Sequence, residues 1–232
     1  MSNRMEVSVV IPVYNSADIL TELSSQINKV LSEYKHEIIL VDDGSTDNSW
    51  KIIEEISNNS KSLIGVHLSR NFGQDNAIMA GLNLSKGDYI VIMDDDLQHD
   101  PAAIPLLLDN IIKCKSNVVY ANFKQKKQSI IKNFGSWLND KVANIVLKKP
   151  HDIYLSPFKI LKKSLVDKII QYDGPYPYID GLIFRYTTNI TQVLVSHHKR
   201  FSGKSNYSIV KSISVWLRVL TNFSVIPLRI ST

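Results

Sequence analysis

Short β-rich runs alternate with helical patterns over the first half of this 232-residue chain, and this alternation constrains the fold most. Strands are predicted at Val7–Ile11, His36–Val41, Leu63–Leu68, Tyr89–Met93 and Val118–Ala121, with apolar residues at helical spacing between them. Such alternation is typical of an α/β fold, in which a mainly parallel sheet carries helices on both faces. The run Tyr89–Met93 is continuously apolar, which predicts a central, buried strand.

The second half of the chain is less regular. A helix is predicted at Ile130–Leu147, strands at Phe158–Leu161 and Thr191–Val195, and an amphipathic helix at Ser208–Phe223. The single cysteine, Cys114, cannot form a disulfide within the chain, which favours a reducing compartment. Neither a signal peptide nor an apolar run of the roughly 18 residues that a membrane span needs is apparent. We therefore expect a soluble or peripheral chain.

The net charge of +5 conceals a strong asymmetry between the two halves. Residues 1–110 contain 7 Lys and Arg against 17 Asp and Glu, a net charge of −10, whereas residues 111–232 contain 20 against 5, a net charge of +15. An acidic half is suited to holding a metal ion, and a basic half to meeting phosphates or an anionic membrane surface. Two ordinary solvated faces would give the same asymmetry.

The segment Asp94-Asp95-Asp96-Leu97-Gln98 directly follows the strand predicted to be central. Ligands of parallel sheets bind beyond the carboxyl ends of the strands. Adjacent carboxylates repel one another, so a hard divalent cation such as Mg²⁺, which also binds diphosphate oxygens, suits this position. On an extended segment Asp94, Asp96 and Gln98 would share one side. The alternative is a solvated acidic turn that caps the next helix.

A second acidic segment, Asp42-Asp43-Gly44-Ser45-Thr46-Asp47, follows the second predicted strand. An acidic residue at the end of a second strand commonly binds a ribose or a base edge. Gly44 permits a tight turn. An ordinary turn in which Thr46 or Asp47 caps the next helix would explain the same residues.

With these motifs the chain resembles the family 2 glycosyltransferases, which have the GT-A fold with a Rossmann-like, mainly parallel sheet. Within that family it resembles the polyprenyl-phosphate glycosyltransferases, the group of dolichyl-phosphate mannose synthase and the undecaprenyl-phosphate sugar transferases. The resemblance is strong over residues 7–101 and 197–229 and weak over 123–190. The segments that carry it are Val10–Asn15, Asp42–Asp47, Arg70–Gly73, Asp94–Pro101, Arg200–Ser208 and Thr221–Arg229.

The resemblance implies a nucleotide-sugar site made by residues from several strand ends. Contacts to the nucleotide are expected from Pro12, Tyr14, Asn15, Asp42, Asp43, Asp94 and Asp95. Asp94, Asp96 and Gln98 are expected to hold Mg²⁺ or Mn²⁺ on the diphosphate, which makes Asp96 a catalytic candidate. Arg200 and Ser205 are expected to meet phosphate groups from a closing loop, and a guanidinium fork suits that role for Arg200.

The same resemblance suggests three parts of the chain. Residues 1–122 would be the nucleotide-sugar half of one GT-A domain, 123–206 its acceptor-side half and 207–232 an amphipathic juxtamembrane segment. The Ser208–Phe223 helix would lie in the membrane interface or pack on its own domain. The expected location is the cytoplasmic face of the membrane, either peripheral or anchored by a continuation past Thr232.

The expected reaction is transfer of a sugar from a UDP- or GDP-linked donor to a polyprenyl phosphate, with inversion. A phosphate monoester is ionised at neutral pH and needs no general base, whereas a sugar hydroxyl does. Asp180 lies where relatives that act on hydroxyls place a catalytic acid, so it is a candidate base, an acceptor contact or a helix cap. Around Ser156–Leu161 the chain departs from the subgroup, because Lys159 stands where relatives often have arginine.

Four other functions are compatible in part with such a chain. A transferase that adds sugar to a glycan hydroxyl would use Asp180 as its base. A non-catalytic nucleotide-binding domain at a membrane would keep the fold but lack turnover. A nucleotidyltransferase would need a glycine-rich loop after the first strand, and a nicotinamide dehydrogenase a G-x-G-x-x-G motif, and neither pattern is present. We expect no nucleic-acid partner, and a homo-oligomer is left open.

Overall fold

The computed structural model describes residues 7–123 and 153–195. Seven strands form one sheet: β1 (Val7–Val13), β2 (His36–Asp42), β3 (Leu63–His67), β4 (Tyr89–Ile92), β5 (Val118–Phe123), β6 (Lys159–Lys162) and β7 (Ile190–Val195). The helices are α1 (Leu20–Val30), α2 (Ser49–Asn58), α3 (Gln74–Leu84), α4 (Ile104–Cys114), α5 (Lys163–Ile169) and α6 (Ile179–Tyr186). Short 3₁₀ turns, Ala17–Ile19 and Pro101–Ala103, precede α1 and α4.

The strand order is β3-β2-β1-β4-β6-β5-β7. Every neighbouring pair is parallel except those of β6, which runs antiparallel between β4 and β5. The predicted α/β class with a mainly parallel sheet is therefore confirmed. β4 is the middle strand of the seven, as its continuous apolar run predicted.

Each face of the sheet has its own apolar core because successive residues of a strand point to opposite faces. Val9 and Ile11 pack with α1, α2 and α4 on one face, and Val10 packs with α3, α5 and α6 on the other. All seven residues of β1 are buried, so this strand is covered on both faces. The sheet also joins the two predicted halves of the domain, because β5 pairs with both β6 and β7.

Most bounds of the strands and helices agree with those predicted from the sequence. The differences lie at the starts of helices and in the second half of the chain. Asn48 occupies the N-cap position of α2, although the Asp47 carboxylate accepts a hydrogen bond from the Ser49 amide at 2.9 Å. The Asp100 carboxylate caps the turn at Pro101 by accepting from the Ala102 amide. The short helices α5 and α6 were not predicted. Within the described ranges, no helix is long and apolar enough to cross a membrane.

Several predicted features lie outside the described residues. These are the helix Ile130–Leu147, the basic loop with Arg200 and Ser205, and the amphipathic helix Ser208–Phe223.

Candidate nucleotide-sugar site

A cavity of about 390 Å³ opens at the carboxyl ends of β1, β2 and β4. This volume lies within the range of small-molecule binding sites, and the position is the one at which parallel sheets bind ligands. It is formed by residues from four separate segments of the chain. The lining residues are Pro12, Val13, Tyr14, Asp43, Asn71, Gly73, Gln74, Asp94, Asp95 and Asp96.

The three consecutive carboxylates after β4 each have a different partner. Asp94 Oδ1 accepts from the Gln74 side-chain amide at 2.7 Å, and Asp95 Oδ2 accepts from the Tyr14 amide at 3.3 Å. Asp96 Oδ1 accepts from the amide of Gln98 at 3.0 Å. Asp94 is therefore tied to α3 and Asp95 to the end of β1, which fixes the acidic segment against two other elements.

The expectation that Asp94, Asp96 and Gln98 share one side of an extended segment does not hold. Leu97 has a φ of +57°, so the chain turns between Asp96 and Gln98. The hydrogen bond from the Gln98 amide to Asp96 closes this turn. As a result Asp94 and Asp96 line the cavity, whereas Gln98 is not among its lining residues.

The carboxylates of the cavity repel one another in a partly water-excluded place. Burial first, and then the charges of Asp96 and Asp95, raise the pKa of Asp94 to about 7, while Lys159 and the Gln74 amide act in the opposite direction. Burial also raises the pKa of Asp95, against hydrogen bonds from Ser16 and Tyr14. A cation in the cavity would relieve this repulsion, so the donor set fits a divalent metal ion.

This arrangement is not a complete metal cage. In residues 7–123 and 153–195 no group of three or more His, Cys, Asp and Glu side chains is placed to hold a metal ion. Mg²⁺ commonly binds through one or two carboxylates together with substrate phosphates. Asp94 and Asp96 suit such a site, which the phosphates of a bound nucleotide would complete.

The two acidic residues at the end of β2 have different positions. Asp42 is fully buried and is not among the residues that line the cavity; it accepts from His67 Nδ1 at 2.7 Å and weakly from the Ser45 amide at 3.3 Å. Asp43 lines the cavity, and its two oxygens accept from the amides of Phe72 and Gly73 at 2.7 and 2.9 Å. Burial, partly offset by these two amides, raises the pKa of Asp43. Asp43 is therefore better placed than Asp42 to meet a nucleotide.

The residues at the end of β1 also differ in whether they line the cavity. Pro12 and Tyr14 line the cavity, and Tyr14 is 48% exposed. Asn15, at a φ of +54°, is not among the lining residues and instead joins two loops. Its amide donates to Ser45 Oγ at 2.9 Å, and its side chain accepts from the Thr46 amide at 2.8 Å. Asn15 thus supports the site from outside the cavity.

Asp180 lies in the first turn of α6. Its Oδ1 accepts from the Tyr120 hydroxyl at 2.7 Å and from the Lys159 ammonium group. The sequence drew attention to Asp180 and Lys159 separately but did not predict their contact. Gln74 and Tyr120 were missed as site residues, since nothing in their local pattern separates them from ordinary helix and strand residues.

Asp75, next to Gln74, gives this region a pH dependence. Burial and the Asp180 charge raise its pKa to about 6, against the Ile179 amide and Lys159. The native state therefore binds this proton more tightly than the unfolded chain does. The stability that Asp75 contributes is present below about pH 4 and is lost as the pH rises to above 6. One pKa unit corresponds to about 1.4 kcal/mol, so this contribution is at most about 3 kcal/mol. We expect the free energy of unfolding of Asp75→Asn, measured by urea unfolding between pH 4 and 7, to fall less steeply with pH than that of the parent. Equal slopes for the two proteins would contradict this.

Comparison with known protein families gives a match over most of the described chain. The model of glycosyl transferase family 2 matches residues 8–170. The undecaprenyl-phosphate 4-deoxy-4-formamido-L-arabinose transferase of Pseudomonas fluorescens is 31% identical over 231 residues, covering 97% of this chain and 66% of its own. Its counterpart in Proteus mirabilis is 32% identical, with 97% and 70% covered. The chain thus spans about two thirds of the length of these relatives.

Solved structures agree on the fold. Glucosyl-3-phosphoglycerate synthase from Mycobacterium tuberculosis, in complex with Mn²⁺, UDP-glucose and phosphoglyceric acid, superposes with a TM-score of 0.68 at 16% identity, covering 94% of this chain and 79% of that one. Its complex with UDP gives a TM-score of 0.67 at 18% identity, with the same coverage. The seven-stranded sheet with its flanking helices is therefore a GT-A fold.

Proposed function

The chain belongs to glycosyl transferase family 2, and on this premise we propose that it transfers a sugar from a nucleoside-diphosphate sugar to a polyprenyl phosphate. The observation that carries the proposal is the cavity at the carboxyl ends of β1, β2 and β4, lined by Asp43 and by Asp94–Asp96. The acceptor is proposed because relatives similar over 97% of the chain are undecaprenyl-phosphate sugar transferases.

In the proposed complex the nucleoside lies against the ends of β1 and β2. Pro12, Tyr14 and Asp43 line that part of the cavity, and Tyr14 offers an exposed aromatic ring. Asn71 and Gly73 lie on the same loop that donates two amides to Asp43. Asp42 and Asn15 act indirectly by fixing the strand end and the neighbouring loops.

Asp94 and Asp96 would hold Mg²⁺ or Mn²⁺ on the donor diphosphate. When bound, such an ion stabilises the negative charge that develops on the leaving nucleoside diphosphate. Gln98 is not among the residues that line the cavity, so we assign it a smaller role. Arg200 and Ser205 remain candidates for contacts to phosphate groups, on the resemblance alone.

The acceptor determines which other groups the reaction needs. An oxygen of the lipid phosphate attacks the anomeric carbon, a new C–O bond forms, and the bond to the nucleoside diphosphate breaks on the opposite face, which inverts the centre. The attacking oxygen is already ionised, so no proton has to be removed. The hydrogen bonds from Tyr120 and Lys159 already engage Asp180, which supports an acceptor that needs no base.

A polyprenyl phosphate resides in a membrane, so the enzyme must work at a membrane surface. The net charge of +15 over residues 111–232 suits contact with anionic lipid headgroups. We propose the cytoplasmic face as the location, since the single cysteine favours a reducing compartment. Attachment would be either peripheral or through an anchor.

The test is release of free nucleoside diphosphate by the purified protein with Mn²⁺ or Mg²⁺ and a panel of UDP- and GDP-sugars. We expect undecaprenyl phosphate to increase release at least about 100-fold for one donor, because the acceptor is the nucleophile. Release that needs a glycan instead, and that Asp180→Asn abolishes, would establish the hydroxyl-acceptor enzyme. Nucleotide binding without turnover on lipid or glycan, also in a membrane-anchored form, would establish a non-catalytic domain.

A further inference from the structure

Lys159 is a buried cation in the middle of the sheet. It begins β6, where it pairs with Ile92 of β4 on one side and with Tyr120 of β5 on the other. The residue is only 4% exposed. A buried ammonium group loses its hydration and is retained only where charged or polar partners replace the water.

Two partners surround this ammonium group. Lys159 Nζ donates to Asp180 Oδ1 and lies 5.1 Å from the centre of the Tyr120 ring. Tyr120 donates its hydroxyl to the same carboxylate oxygen at 2.7 Å, and burial together with the Asp180 charge keeps the pKa of Tyr120 well above its usual range. The hydroxyl therefore remains a donor. Three elements, β5, β6 and α6, are joined at one oxygen of Asp180.

The same cation acts on the carboxylates beside the cavity. The Lys159 charge partly offsets the rise in the pKa of Asp94, which lines the cavity, and in that of Asp75, at the start of α3. The charges that act on Asp94 are those of Asp96, Asp95 and Lys159, whereas Asp180 acts on Asp75. Lys159 pairs with Ile92, two residues before Asp94, so this buried positive charge lies beside the strand end that carries Asp94 and on the same face of the sheet.

We propose that Lys159 is a positioning residue for the donor: its charge offsets the Asp94 carboxylate so that the cavity admits a nucleoside diphosphate. Asp180 is the counter-ion that allows Lys159 to be buried there. This inference rests on the proposed function in that it assumes the cavity takes the donor. It does not depend on the acceptor, because neither Lys159 nor Asp94 needs to meet the lipid.

Variants of Lys159 and Asp180 can separate this role from a purely structural one. Lys159→Met alone leaves the half-buried Asp180 carboxylate without its cation and is expected to fold poorly. The double variant Lys159→Met/Asp180→Asn removes both charges, and the Asn carbonyl can still accept from Tyr120. We expect it to fold like the parent, as judged by its melting temperature. Lys159→Arg keeps the charge, and Asp180→Asn alone keeps the cation.

The measurement is calorimetric binding of UDP and of GDP at saturating Mn²⁺, with Mn²⁺ alone titrated separately by electron paramagnetic resonance. We expect the double variant to bind the nucleotide about tenfold more weakly, which corresponds to about 1.4 kcal/mol, and to bind Mn²⁺ no more weakly than the parent. Lys159→Arg should stay within about threefold of the parent, and Asp180→Asn should bind the nucleotide as tightly or more tightly.

Two results would overturn the inference: nucleotide affinity of the double variant within about twofold of the parent, or an equal loss of nucleotide and Mn²⁺ affinity. The second result would indicate general damage to the cavity. If the parent binds the nucleotide but undecaprenyl phosphate never stimulates release, the proposed acceptor fails while the double variant still decides the role of Lys159. A parent that binds neither UDP nor GDP would overturn the donor site on which both proposals depend.

Discussion

Replacing Asp96 by Asn is expected to lower kcat/KM for lipid-dependent release of nucleoside diphosphate by about 10²–10³-fold, because charge on the leaving group would lose its stabilisation. Asp96 lines the cavity, and its carboxylate accepts from the Gln98 amide. The Asn carbonyl can accept the same hydrogen bond, so the turn at Leu97 should persist. The substitution therefore removes a charge and leaves the local backbone unchanged.

The control for this prediction is Asp109→Asn, which removes one negative charge from the exposed surface of α4. It should retain the parental rate, since it lies on a helix outside the cavity lining. Equal melting temperatures for the two variants would show that Asp96→Asn is folded. A rate for Asp96→Asn within tenfold of the parent would remove Asp96 from the proposed mechanism.

Much of the fold follows from periodicity because the long elements bury whole faces. β4 is a continuous apolar run, β1 is buried at all seven positions, and α1 has its buried residues at helical spacing. The helices α5 and α6 have only seven and eight residues, so each shows about two turns of pattern and escapes detection. Their formation depends on packing against the face that carries Val10 and Ile39.

The site was predictable as a set of strand ends but not in its details. The sequence places acidic residues after β2 and β4, and topology brings these ends to one edge. Whether Asp42 or Asp43 faces the cavity depends on the phase of the strand, which a pair of adjacent identical residues does not reveal. Likewise, the turn at Leu97 comes from a local hydrogen bond that competes with extended backbone.

Lys159 illustrates a contact that no local pattern predicts. It meets Asp180 across 21 positions of sequence, and Tyr120 approaches the same oxygen from another strand. This meeting requires β6 to enter antiparallel between β4 and β5. In the sequence alone, Lys159 is only a departure from the pattern of related chains. In the folded protein Lys159 has a physical role, because a buried cation beside acidic groups lowers their pKa.

Gly44, which follows β2, lies in close contact with the loop that lines the cavity. It has a φ of +67°, and a Cβ at this position would lie 2.5 Å from the Arg70 carbonyl carbon and 2.7 Å from the Asn71 nitrogen. Both atoms belong to backbone, so they cannot move aside as a flexible side chain would. The segment pressed against Gly44 runs directly into Phe72 and Gly73, whose amides donate to Asp43. Close approach at Gly44 therefore holds the loop that lines the cavity.

We expect Gly44→Ala to lower the free energy of unfolding by about 2–5 kcal/mol, from left-handed strain and the backbone clash together. Displacement of the loop should also weaken UDP or GDP binding at least about tenfold in the fraction that remains folded. Lys115→Ala is the matched control, because Lys115 is exposed at a φ of +51° and already carries a Cβ. It should change stability by less than about 0.5 kcal/mol. Urea unfolding measures the free energy of unfolding, and calorimetry measures the nucleotide affinity. A Gly44→Ala protein as stable as the control would contradict the prediction. It would mean that the loop can move without loss of stability and that the Asp43 contacts do not depend on this glycine.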